Sequence, residues 1–170
     1  MKNKAQFSQV HSILKNSISN EFDCGVSELN NCLKKFAYQN HQAGSSRAYI
    51  VTGKENKAVA FYTLSFGSIS YSDAPDRVKK GLGKYPVPII LLARLAVDKT
   101  QQGKGLGQAL VKDAILRAYQ ASEIAGLRAI LVHAKDEQAK NFYEQFGFSP
   151  SPIDKFHLYL LMKDIKNIVE

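Results

Sequence analysis

The sequence predicts an α/β fold in which a central sheet is covered by helices. Three observations carry that reading. The run "VPIILLARLAV", residues 87 to 97, is almost continuously apolar, as in a strand covered on both faces. From about 105 to 121, Leu106, Leu110 and Ala114 make one stripe at helical spacing and Val111, Ile115 and Ala118 a neighbouring one, so the helix has a wide buried face. Strand-like and helix-like stretches then alternate to the end of the chain.

Taken in order, the first element is a helix in which Leu29, Cys32, Leu33, Phe36 and Ala37 follow the i, i+3, i+4, i+7, i+8 pattern. Ser27 is its expected N-cap and Gly44 follows its end. "RAYIVTG" reads as a strand, and "KAVAFYTLSFGSISY" as a longer one rich in aromatic and β-branched residues. "SDAPDRVKKGLGKYPVP", 72 to 88, is rich in Gly, Pro and Lys and reads as a loop inside one domain, 1 to 170. After the 87–97 strand and the long helix, Gly126 breaks the pattern and "RAILVHA" is another strand. "DEQAKNFYEQF" is a helix with Ala139, Phe142, Tyr143 and Phe146 on one side, ended by Gly147. "KFHLYLLM" closes the chain as a strand.

Composition bounds the function. With 45% hydrophobic and 22% charged residues the chain has the make-up of a globular domain. No apolar run is long enough to span a membrane, and "MKNKAQFSQV" has no apolar stretch of a secretory signal behind its lysines. Cys24 and Cys32 make no disulfide framework, and no cluster has metal-ligand spacing. A cytoplasmic protein without a metal is expected. The net charge is +8. Residues 1 to 100 hold 14 Lys/Arg and 7 Asp/Glu, whereas residues 101 to 170 hold 9 and 8, so the excess lies in the first part. A basic surface suits a polyanion such as nucleic acid, or an acidic protein; it also serves solubility alone.

The most informative stretch is "QQGKGLG", 101 to 107, set between the apolar strand and the long helix. The first N–H groups of a helix have no partner within it, and the helix dipole is positive there. Glycines at 103, 105 and 107 let a phosphate approach the backbone, and Lys104 adds a charge. The turn therefore reads as an anion cradle suited to a pyrophosphate. A P-loop needs Ser or Thr after Gly-Lys, and here Gly105 follows Lys104. A dinucleotide fingerprint needs a different glycine spacing and an earlier position. Gln102-x-x-Gly105-x-Gly107 remains.

With that spacing, and with "AKNFYEQFGF" at 139 to 148 in the expected order, the sequence resembles the GNAT acetyltransferases. "FDCGVSELNNCL", "SRAYIV", "FYTLSFGSI", "PVPIILLARLAVD" and "HAKDEQAKNFYEQFGF" make it most similar to the GNAT toxins of bacterial toxin–antitoxin modules, over roughly residues 20 to 163. The resemblance implies a GNAT fold with a mixed, mainly antiparallel central sheet. It implies acetyl transfer from acetyl-coenzyme A to the α-amino group of aminoacyl-tRNA, a block on translation. It implies a homodimer and a cognate antitoxin of ribbon-helix-helix type whose tail covers the basic site. It assigns coenzyme A contacts to Leu95, Ala96, Val97, Gln102, Gly103, Lys104, Gly105, Leu106, Gly107, Gln108 and Asn141, and the catalytic acid to Tyr143. Asp136 departs from the wider superfamily, where Asn is common.

The residues themselves weigh on these roles. Tyr143 shares a helix face with Phe142 and Phe146, which is also what a core requires. His133 is the single base candidate, and a structural role suits it as well. A peptide-like α-amine titrates near ~8, far below a lysine at ~10.4, so an aminoacyl ester needs little help from a base. Arg47, Arg77, Lys79, Lys80 and Arg94 are candidates for tRNA phosphates, and Tyr85 for stacking on its single-stranded end. Transfer to a protein amine or a small-molecule amine, and a non-enzymatic coenzyme A or nucleic-acid binding module, stand as alternatives.

Overall fold

A computed structural model describes residues 6 to 169; the first five residues of the stretch read for a secretory signal lie outside them. Seven strands are hydrogen-bonded in the order β1-β2-β3-β4-β5-β7-β6. They are β1 (His11–Ser12), β2 (Arg47–Thr52), β3 (Ala58–Ile69), β4 (Val87–Val97), β5 (Ala129–His133), β6 (Ser149–Pro150) and β7 (His157–Leu161). The helices are α1 (Ser27–Asn31), α2 (Ala37–Ala43), α3 (Asp76–Lys79), α4 (Leu106–Ile124), α5 (Glu137–Glu144) and α6 (Met162–Val169). The sheet is mixed and mainly antiparallel, as expected.

The chain divides into two compact units. The first comprises residues up to Ser65 together with Ala93–Asp113. Here β2 is antiparallel to β1 and to β3, in the register Arg47↔Leu64 through Val51↔Ala60. Phe22, Leu33, Ala37, Ala48, Ile50 and Phe61 form its core, with Phe22 set edge-on to Phe61 at 5.8 Å between ring centroids. The second unit comprises Phe66–Leu92 and the residues from Ala114 on. In it β4 runs parallel to β5, Ile89↔Ala129 through Leu92↔Val132, and β7 lies antiparallel to β5. Ala74, Val78, Val87, Ile89, Ala129, Leu131, Tyr159 and Leu161 pack there.

Four details differ from the sequence reading, each for a local reason. Ser27 is the first helical residue, not the cap; extended Val26 precedes it and no side chain caps the helix. Asn30 closes that entry instead: its Oδ1 accepts from Cys24 N–H at 2.8 Å and its Nδ2 donates to Asp23 at 3.0 Å. Between α1 and α2 the helix widens into a π turn, Cys32–Phe36, closed by Ala37 N–H on Cys32 C=O. The wider turn lets the phase slip, so Leu33 and Ala37 are buried while Phe36 is 52% exposed. The 72–88 segment is not all loop. α3 starts behind Pro75, buries Val78, and is held by Arg128, whose Nε and Nη2 donate to Val78 C=O at 2.6 Å and Lys80 C=O at 2.8 Å. Finally, α6 continues past the closing strand and buries Ile165.

Candidate functional site

In the first unit, β4 ends in a turn fixed by side chains. Asp98 accepts from Thr100 N–H at 2.9 Å, Thr100 Oγ1 at 2.7 Å and Asp23 N–H at 3.0 Å. Burial opposes the charge on Asp98, but these hydrogen bonds outweigh it and hold the carboxyl below its usual range. Asp23 is held well below that range by Lys99, which donates at 3.0 Å, and by Asn30 and Gly25. Neither carboxylate was singled out from the sequence. The signal was present as Asp-x-Thr, an Asx-turn spacing directly after a strand.

The glycine turn follows. Gly103 and Gly105 have φ of 80° and 81°, a left-handed conformation that L side chains rarely adopt. A Cβ at either would meet nothing within 4 Å, so the space above the turn is open. The need for glycine at 103 and 105 is thus backbone conformation. Ala109 N–H bonds Gly105 C=O at 3.1 Å as α4 begins, which leaves the amides of the turn ahead of it without a helical acceptor. Gln102 donates from Nε2 to Val97 C=O at 3.0 Å, tying the turn to the strand end. Lys104 is exposed, hydrogen-bonded to Gln101 Oε1 at 2.9 Å, with its Nζ 5.8 Å above the Phe7 ring. Leu106 is buried, Gly107 half-buried and Gln108 exposed. This set of groups fits a diphosphate: open space, backbone donors, a helix dipole and one cation.

Just upstream, Arg94 has φ of 58° inside an otherwise extended strand. Its side chain is exposed. Leu95 and Val97 are half-buried and Ala96 is buried. Arg47, also in this unit, is exposed and donates from Nη1 to His41 C=O at 2.9 Å, at the end of α2.

In the second unit, α5 carries Tyr143 and Asn141. Asp136 is the N-cap of that helix: its Oδ1 accepts from Ala139 N–H at 2.8 Å. An Asp serves there as well as an Asn, so the departure at 136 has a structural account. Asn141 is exposed. Tyr143 is only 9% exposed and sits edge-on to Phe142 at 5.3 Å and Phe148 at 5.7 Å. Burial pushes its phenol up to about 12. Among the described residues its hydroxyl has no hydrogen-bond partner. A protonated phenol with a donor to spare is the form an acid needs.

The remaining candidates of this unit are partly committed. Arg77 is exposed yet bound to Asp164 of α6 through two contacts, 2.9 and 3.2 Å. Lys79 lies 4.8 Å over the Tyr71 ring and 3.8 Å from Asp76. Lys80 is exposed, and Tyr85 is 78% exposed. His133 ends β5 with its ring stacked on His157, 4.2 Å between centroids. Burial and then the charge of His157 push it down, against a smaller pull from Asp154, so it is neutral at pH 7. Among the described residues no helix is long and apolar enough to cross a membrane, and no group of three acidic, His or Cys side chains is placed to hold a metal.

Residues 45–150 match the family described as acetyltransferase (GNAT) domain. A tRNA-acetylating toxin of Mycobacterium tuberculosis (strain ATCC 25618 / H37Rv) is 48% identical over 148 residues, 87% of this chain and 88% of that protein. Among solved structures, AtaT complexed with acetyl-methionyl-tRNAfMet superposes with a TM-score of 0.86 at 26% identity, covering 96% of this chain and 99% of that one. A Tyr-to-Phe mutant of the AtaT toxin, bound to acetyl-CoA and the C-terminus of the antitoxin AtaR, gives 0.77 at 27% identity over 95% and 97% of the two chains.

Proposed function

Because this chain belongs to the GNAT acetyltransferase family, we propose that it is a toxin that transfers the acetyl group of acetyl-coenzyme A to the α-amine of an aminoacyl-tRNA and so blocks translation. The observation that carries this reading is the likeness to a tRNA-acetylating toxin across nearly the whole chain. The turn supplies the chemistry. Amides from Gln102 to Gln108 hold the diphosphate, and Leu95, Ala96 and Val97 pair their backbone with the amide-bearing pantetheine arm. The substrate amine attacks the thioester carbonyl, a C–N bond forms, the C–S bond breaks, and the amine's proton leaves to water. A backbone N–H near Val97 stabilises the oxyanion.

Tyr143 serves the leaving thiolate. With its phenol at about 12 and a thiol near ~8.5, complete proton transfer is uphill by about 5 kcal/mol. Tyr143 therefore acts first as a hydrogen-bond donor to sulfur, strengthened by its largely buried aromatic surroundings. Lys80, Arg94, Arg47, Arg77 and Lys79 are the cations offered to tRNA phosphates, with Tyr85 for its single-stranded end. The protein acts in the cytoplasm as a homodimer, held inactive by a ribbon-helix-helix antitoxin whose acidic tail covers the basic surface.

The test is incubation with labelled acetyl-coenzyme A and, separately, charged tRNA pools, proteins bearing free amines, and polyamines. Label on charged tRNA that is absent from deacylated tRNA is the expected result. Label on protein or polyamine alone overturns the substrate; no label anywhere overturns the reaction.

A further inference from the structure

Arg94 places a left-handed residue, φ 58°, in the middle of β4. Such a residue turns its neighbouring peptide groups relative to the ladder. Thr63 bonds the peptide group just before it. This β3 residue is buried, and its Oγ1 donates to Ala93 C=O at 3.2 Å. β3 is fixed on its other side by the register Ala48↔Thr63 with β2. The kink is thus bonded from a rigid neighbour, one residue before Arg94 and two before Leu95.

Resting on the function proposed above, we infer that Thr63 is a positioning residue for acetyl transfer. Its hydroxyl holds the Ala93 carbonyl, keeps Arg94 left-handed, and so sets the direction in which the peptide groups of Leu95, Ala96 and Val97 point. Thr63 touches no reacting atom. It acts through the backbone that receives the pantetheine arm and the oxyanion. An interaction made only in the transition state is the most sensitive to aim, so loss of the hydroxyl lowers kcat more than it weakens binding. A valine keeps the shape and the β propensity of threonine and removes the donor alone.

The experiment compares Thr63→Val, Thr63→Ser and a plain core variant of the same unit, Ile50→Val, with the wild type. Calorimetry with acetyl-coenzyme A gives Kd, turnover on charged tRNA gives kcat, and amide exchange gives the state of Leu95, Ala96 and Val97 without any turnover. Thr63→Val is expected to lower kcat about tenfold and raise Kd about threefold, a split that follows from transition-state aim. Its Leu95–Val97 amides exchange faster. Thr63→Ser restores all three, and Ile50→Val leaves them unchanged at an equal loss of melting temperature. Wild-type kcat and exchange in Thr63→Val overturn the inference, as does a Thr63→Ser variant no better than valine, or an Ile50→Val variant with the same loss. A wild type inert on charged tRNA overturns the substrate reading instead, and the exchange data still decide the role of Thr63.

Discussion

Tyr143 is where the proposed chemistry and the packing of single residues meet. The same burial that makes it look like core raises its phenol to about 12, and among the described residues its hydroxyl has no hydrogen-bond partner. Replacement by Phe keeps the aromatic stack with Phe142 and Phe148 and deletes only the donor. Acetyl transfer should fall by about 10²- to 10⁴-fold, the range for loss of an acid, while circular dichroism and Kd for acetyl-coenzyme A stay near wild type. Activity within a few-fold of wild type removes Tyr143 from the mechanism. Stability gives a second reading. The folded-state value lies above the ordinary ~10 of an unfolded tyrosine, so below pH ~10 both states keep the proton and the group adds no slope. Between pH ~10 and ~12 only the unfolded chain releases it, and stability falls by up to about 1.4 kcal/mol per pH unit. Urea midpoints at pH 9, 10 and 11 should show the wild type losing ground to Tyr143→Phe as pH rises; parallel curves refute the raised value. At the same scale, His133 is neutral at pH 7 against His157, and the low basicity of an aminoacyl α-amine makes a stronger base unnecessary.

Elements differ in how plainly they are written in the chain. α5 is a case where the sequence and the geometry meet, since Asp136 caps it and Gly147, at φ 97°, turns the chain out of it. Asp136→Ala should cost about 1 kcal/mol in urea denaturation and Asp136→Asn close to nothing, because either Asp or Asn presents an oxygen to the Ala139 amide. Equal losses in both variants would mean that the charge of Asp136 matters and not its hydrogen bond. β2, β3, β4, β5, β7, α4 and α5 were legible because apolar periodicity over five residues or more reports burial directly. The other elements lack such a period or hide it. The two-residue strands β1 and β6 are shorter than any period. α3 is a single turn in a Gly-, Pro- and Lys-rich stretch, and its anchor, Arg128, lies 50 residues away from Val78. α6 carries Met162, Ile165 and Ile168 at helical spacing, but it follows β7 with no break, so the apolar run of the strand masks where the helix begins. The π turn at Cys32–Phe36 leaves no mark in composition, and it turned Phe36 outward against the expected face. For the candidate site, the glycine turn was legible as spacing; the ties of Asp98 to Asp23 and of Thr63 to Ala93 were not, since they join residues 75 and 30 positions apart that only the fold brings together.

For the molecule as a whole, charge is the property that bears on a macromolecular substrate. The chain carries +8, but not every cation is equally available. Arg77 is bound to Asp164 and Lys79 is folded onto Tyr71, whereas Lys80 and Arg94 are exposed and form no ion pair among the described residues. A tRNA bound by such groups displaces condensed counterions, so log K falls linearly with log salt, by roughly 0.7 to 0.9 per phosphate neutralised. Charged and deacylated tRNA share their phosphates and should therefore bind with the same slope, while only the charged form accepts acetyl. Lys80→Ala should lower that slope by about 1 and weaken all tRNAs alike. Arg77→Ala should change it less, because the guanidinium must first leave a carboxylate, and should lower the melting temperature by freeing α6 from α3. Binding titrations between 50 and 200 mM salt, as about a fourfold range in which five contacts change K by more than 10²-fold, decide the matter. A flat line for both tRNA forms would mean that the excess charge serves solubility alone, and that recognition of the substrate rests on the aminoacyl end.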